Sequence, residues 1–149
     1  MHATAPTDPS YGYTAHLPGV PFDEARSRIV DALKNEGFGV LTEIDVKSTF
    51  KAKLDRDFRR YVILGACNPQ LAHRALETEL GIGLLLPCNV CVWEEEGGSV
   101  VSIARPEAMF ELVNRQDVQP VAQEADQRLR RALQQVASRM RPTDERTHN

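Results

Sequence analysis

The sequence predicts an α+β domain: a mainly antiparallel sheet with helices packed on one face, followed by a long C-terminal amphipathic helix. Three observations carry this. Segments of period two and of helical period follow one another as strand, helix, strand, short helix, strand, helix, hairpin, helix. Gly97-Gly98 joins two strand-like runs, and two glycines between such runs signal an antiparallel hairpin. From Val118 to Met140, apolar residues recur at Val118, Ala122, Ala125, Leu129, Ala132, Leu133, Val136 and Met140, one face of a helix.

Each element has a local reason. Tyr11, Tyr13, Ala15 and Leu17 alternate with Gly12, Thr14 and His16, which predicts a half-buried strand ended by Pro18, Gly19 and Pro21. A helix follows, with Ala25, Ile29, Ala32 and Leu33 on one stripe and Asp23 and Glu24 in the first turn, where the helix dipole favours negative charge. Gly37 ends it. Gly39 to Ile44 reads as a strand, and Asp45 caps a short helix carrying Val46, Phe50 and Leu54 on one side. Phe58 to Ala66 is the third strand. Its run Tyr61-Val62-Ile63-Leu64 is apolar throughout, which predicts a central strand covered on both faces. Asn68 and Pro69 suit the N-cap and first turn of a helix whose buried stripe is Ala72, Ala75, Leu76 and Leu80, with Gly81 as its stop.

In the hairpin, a Gly97-Gly98 turn would set Val92 opposite Ile103 and Trp93 opposite Ser102. Val90, Val92, Val101 and Ile103 then share one face, and Cys91, Trp93, Val100 and Ser102 share the other. In the last helix, Glu124 and Asp126 lie towards the start and Arg128, Arg130, Arg131 and Arg139 towards the end, as the dipole prefers.

The 149 residues fit one domain, expected over about residues 11–140. Residues 1–10 and 141–149 carry no large apolar side chain beyond Met1 and are expected to be mobile. No run approaches the roughly 20 apolar residues of a membrane span. The start of the chain has neither the basic nor the apolar region of a secretory signal, so a cytoplasmic location is expected. Three cysteines do not make a disulfide framework, and a net charge of −3 argues against nucleic acid as a partner.

Four groups of residues hold chemical potential. Cys67 precedes the helix capped by Asn68 and Pro69, where the helix N-terminus favours a thiolate or a bound anion; a small buried cysteine at a tight corner is the competing reading. Cys88 and Cys91 have redox spacing, but on a strand residues three apart point to opposite faces. Cys67, His73, Cys88 and Cys91 make a chemically acceptable metal set, although only one short pair is present. Lys47, Lys51, Lys53, Arg56, Arg59 and Arg60 form a basic run that could receive a phosphate or carboxylate, or simply be a solvated face. No phosphate-binding loop, dinucleotide fingerprint or nucleophile elbow is present.

The string Tyr61-Val62-Ile63-Leu64-Gly65-Ala66-Cys67-Asn68-Pro69, then Ala72, then Gly83-Leu84-Leu85-Leu86-Pro87-Cys88-Asn89-Val90, resembles the family called domain of unknown function 302. Gly37 to Val46 and Arg105 to Met109 add to the likeness, which covers residues 11–113. The resemblance implies a TATA-binding-protein-like arrangement of sheet and helices, often paired as a homodimer, and no established reaction. Its characteristic positions fall on Cys67, Asn68, Pro69, Pro87 and Cys88, and Cys91 lies outside the pattern.

The expectation is a homodimeric binding domain. Its ligand is a small anion, a metal or a thiol-reactive molecule at the corner of Cys67, Asn68, Pro69, Pro87 and Cys88. With helices on one sheet face, Cys91, Trp93, Val100 and Ser102 are the expected interface. The long helix would otherwise cover that face. The alternatives are a cysteine-dependent enzyme or redox protein using Cys67 as thiolate, and an assembly module without a ligand. The cofactor is unknown from sequence.

Overall fold

The period-two segments form five strands, and the first and last long helices pack on one side of them. A computed structural model describes residues 9–138. The elements are β1 (Gly12–Pro18), α1 (Phe22–Asn35), β2 (Gly39–Asp45), α2 (Val46–Leu54), β3 (Tyr61–Cys67), α3 (Pro69–Thr78), β4 (Cys88–Glu95), β5 (Gly98–Ala104), α4 (Pro106–Phe110) and α5 (Gln119–Ser138). Short 3₁₀ turns occupy Leu80–Leu85, Glu111–Val113 and Gln116–Val118. The expectations for residues 1–8, for Arg139 and Met140 and for the 141–149 tail lie outside the described residues. Among the described residues, no helix is long and apolar enough to cross a membrane.

The sheet is antiparallel throughout, in the order β1-β5-β4-β3-β2. One face is the core: Leu17, Val62, Leu64, Ala66, Val90, Val92, Val101 and Ile103 lie there, against Ala25, Ile29, Ala32 and Leu33 of α1 and Val121, Ala122, Leu129, Ala132 and Val136 of α5. The other face is open. β4, not β3, is the middle strand, and β3 is covered on one side only: Val62 and Leu64 are buried while Tyr61 and Ile63 are half-buried. An apolar run marks burial on both faces only when both faces have a layer, and here the second layer is missing.

Three further differences have clear causes. The hairpin turn is Glu96-Gly97, so Val92 faces Val101 and Trp93 faces Val100, two residues from the expected pairing. Gly97 supplies the positive φ of 81°. Gly98 serves close approach instead: a Cβ there would sit 2.9 Å from Pro18 Cα and would also strike Leu17 O. A shift of two residues preserves the faces. Helix α3 ends at Thr78, before the expected stripe reaches Leu80, which is 85% exposed; Leu71 joins Ala75 in the core instead. Helix α2 is capped as expected, Asp45 accepting from Ser48 N at 3.0 Å, yet none of its residues is buried. Phe50 of α2 makes an edge contact with Phe58, just before β3.

Candidate functional site at the Cys67 and Cys88 corner

The corner is built where β3 runs into α3 and where the 3₁₀ turn Leu80–Leu85 feeds β4. In register, Ala66 pairs with Cys88 and Gly65 with Asn89. Gly65 is required by crowding on the open face: a Cβ would meet Pro87 Cγ at 2.8 Å and Thr42 Oγ1 closer still. The Leu86-Pro87 peptide is cis.

Asn68 is a structural hub. Its Oδ1 accepts from Leu71 N at 3.2 Å, capping α3, and its Nδ2 donates to Glu36 O at 3.5 Å, beyond the end of α1. Arg128 Nη1 donates to the same carbonyl at 3.2 Å, and Arg131 pairs with the Glu36 carboxylate. Gly37, at φ +84°, leaves room for the Asn68 amide, which a Cβ would approach at 2.8 Å. The polar groups of Asn68 are thus committed to joining α3 to the end of α1, where Arg128 and Arg131 tie in α5.

Below Asn68 lies an apolar cavity of about 30 Å³. Cys67 and Cys88 both line it, with Phe38, Leu71, Phe110 and Val121 among the surrounding side chains. A second cavity, of about 140 Å³, shares Leu86, Cys88, Pro106 and Phe110 with the first and extends to Leu84, Leu85, Asn89 and Met109. Of the five corner residues expected from sequence, Cys67, Asn68 and Cys88 line the first cavity and Pro87 and Cys88 the second. Pro69 starts α3 and lines neither. The walls contributed by Leu84–Leu86 and by Met109 and Phe110 were not among the expected site residues; the run of three leucines before Pro87 is a signal for the first of these walls only.

The thiols are held protonated. Burial pushes Cys67 up from the ordinary thiol range. Cys88 is pushed up to about 12, by burial first and then by the nearby Cys67 and Asp126. Cys91 is raised by burial, partly offset by its hydrogen bond with Tyr61. This direction is opposite to what a nucleophilic thiolate needs. The metal set does not assemble: among the described residues no three His, Cys, Asp or Glu side chains come together. Cys91 pairs in register with Ile63 on the open face, and His73 is exposed on α3, 3.5 Å from Glu77. The basic run is largely engaged in its own neighbourhood: Lys47 donates to Phe58 O, Lys51 pairs with Asp55 and Asp57, and Arg60 with Asp23.

The open face carries the expected interface residues. Tyr61 and Trp93 stack with ring centroids 5.2 Å apart, and Phe58 and Phe50 extend the row. Ser102 bonds Thr14 across the strands at 2.8 Å. Cys91, Trp93 and Ser102 are half-buried, but Val100, flanked in register by His16 and Trp93, has no exposed surface. It therefore offers a partner nothing directly.

A buried carboxylate went unforeseen. Asp126, read as a charge suited to the start of the last helix, is 1% exposed. It accepts from Tyr13 Oη at 2.6 Å and from Glu107 N at 3.3 Å, with Arg130 at 3.5 Å and Arg105 at 4.0 Å. Both guanidiniums lie against the Tyr13 ring.

The comparisons agree with this architecture. A protein of Aquifex aeolicus (strain VF5), described as an uncharacterized protein, is 24% identical over 128 residues, covering 83% of each chain. A solved structure, that of an uncharacterized conserved protein DUF302 from Bacillus stearothermophilus, superposes with a TM-score of 0.78 at 31% identity, covering 86% of this chain and 99% of that one. The model of the family described as domain of unknown function DUF302 matches residues 13–136, α5 included, and the chain belongs to that family.

Proposed function

We propose that the chain is a binding domain that pairs with a second copy of itself and holds a small ligand at the corner lined by Cys67 and Cys88. The observation that supports it most is that two sequence-distant cysteines share one apolar cavity wall. A cysteine-dependent enzyme is the weaker reading, since burial shifts every thiol away from the thiolate. Pairing is supported by the open face: an aromatic row and a helix, α2, with no buried residue both lack a covering layer within the described chain. That face alone would also suit an assembly module with no ligand.

Alkylation kinetics and sedimentation test the reading together. Iodoacetamide should react slowly with Cys67 at pH 7 to 8, with a rate rising only above the ordinary thiol range. Fast alkylation abolished by Cys67→Ser would favour the enzyme. Sedimentation should give a dimer that Trp93→Glu dissociates; a monomer with freely quenched Trp93 fluorescence would remove the pairing.

A further inference from the structure

We infer that the two adjoining cavities form one site for a neutral, unbranched hydrocarbon chain, which enters between the 3₁₀ turn Leu80–Leu85 and α4 and ends against Cys88 and Cys67. This rests on the reading of the corner as a ligand site and names the ligand chemistry. The lining excludes charge. Neither cavity has an Asp, Glu, Lys, Arg or His in its wall. The side-chain polarity there is two protonated thiols and the amides of Asn68 and Asn89, and Asn68 is already bonded to Leu71 N and Glu36 O. An anion would find no cation, and a metal no third ligand among the described residues.

Size and shape narrow the class. An apolar cavity of about 150 Å³ takes a six-carbon molecule such as benzene, and the outer cavity here, apolar over more than half of its lining, is about 140 Å³. The inner cavity adds only about 30 Å³, beyond the shared residues Leu86, Cys88, Pro106 and Phe110. Two spaces that adjoin across Leu86, Cys88, Pro106 and Phe110 suit a chain that parts these side chains better than a disc. The mouth is apolar as well. Leu84, in the wall of the outer cavity, is 92% exposed, and Leu80 is exposed at the start of the same turn. Arg115 reaches Glu79 at 3.6 Å, which holds the segment after α4, with its exposed Leu112, beside that turn. Exposed leucines at a cavity mouth lower the cost of moving an alkyl chain out of water.

The test uses ¹⁵N-labelled full-length protein with n-alkanols and inorganic phosphate as probes. n-Hexanol should shift the amides of Leu71, Ala75, Leu86, Cys88, Met109 and Phe110 saturably, and phosphate should not. Affinity should rise about fourfold per methylene from propanol to hexanol and then level off as the site fills. Ala72→Leu, which fills the inner cavity, should weaken hexanol at least tenfold while the spectrum stays folded. Phosphate shifting these amides, alkanol shifts confined to the open face, or affinity independent of chain length would overturn the inference. If the alkanol series fails while the alkylation and sedimentation results hold, the binding-domain reading survives with another ligand. The chain-length series needs no variant, so a misfolded Ala72→Leu does not protect the idea.

Discussion

Asp126 offers the sharpest test of how this fold is held. It is a nearly water-free carboxylate in the middle of α5, with Tyr13 of β1 donating at 2.6 Å and the Glu107 N–H of α4 at 3.3 Å. Asp126→Ala removes one charge-assisted bond, worth about 1.5–3 kcal/mol, and leaves the Glu107 N–H without this acceptor, at about 1–3 kcal/mol. The two partners overlap in cost, and Arg130 still reaches Tyr13 Oη at 2.5 Å, so we expect a loss of about 3 kcal/mol. Asp126→Asn keeps an acceptor oxygen and should lose about half as much. Tyr13→Phe should cost about 1.5 kcal/mol. Because the two groups share one bond, the double variant Tyr13→Phe/Asp126→Asn should cost less than the sum of its parts, by about 1 kcal/mol. Urea unfolding followed by far-UV circular dichroism reads all four chains, with the midpoint shifting at constant slope. Strict additivity, or a loss in Asp126→Ala of less than about 0.5 kcal/mol, the range of an ordinary surface substitution, would refute the claim that this carboxylate pins α5 to β1.

Other outcomes follow from the same structure. Asn68→Ala should lose about 1–2 kcal/mol through the uncapped Leu71 N–H, and Asn68→Asp, which keeps the cap acceptor, should recover much of it in the same urea assay. Gly65→Ala should destabilise by at least about 1 kcal/mol, because the new methyl meets Thr42 and Pro87, and its thermal midpoint should fall accordingly. Cys88 adds a pH dependence of known sign. Its thiol loses its proton less readily in the folded chain than in the unfolded one, so its contribution is full below the unfolded value near 9 and is lost as pH rises towards about 12. Unfolding midpoints measured from pH 8 to 11 should fall, and Cys88→Ala should flatten that slope.

The order of elements was legible because period two, period 3.6 and capping residues are local signals. Asp45, Asn68 and Gly37 act where their chemistry said they would. Layering was less legible. Tyr61 to Leu64 looks the same whether one or two layers cover it, and only the burial of Val62 and Leu64 beside half-buried Tyr61 and Ile63 shows the open face. The choice between Gly97 and Gly98 as the turn residue depended on β1, because Pro18 crowds Gly98 across the sheet. At the corner, Cys67, Asn68, Pro87 and Cys88 were singled out in the sequence and line the two cavities, while Met109 and Phe110 come from a segment whose position against β4 no local rule gives. Asp126 looked like an ordinary helix-start charge; its burial follows from Tyr13, 113 residues earlier in the chain.

The pairing of β1 with β5 has a consequence for the chain as it is made. Gly12 lies beside Ala104 and Pro18 beside Gly98, so the first strand has no neighbour until nearly the whole sheet has been synthesised. At about 5–20 residues per second, β1 waits roughly 4–17 seconds for its partner. During that interval the apolar side of Tyr13, Ala15 and Leu17 is uncovered, while β2, β3 and β4 can already associate. Nascent-chain folding should therefore leave β1 undocked until β5 has been made, with α5 closing over both afterwards.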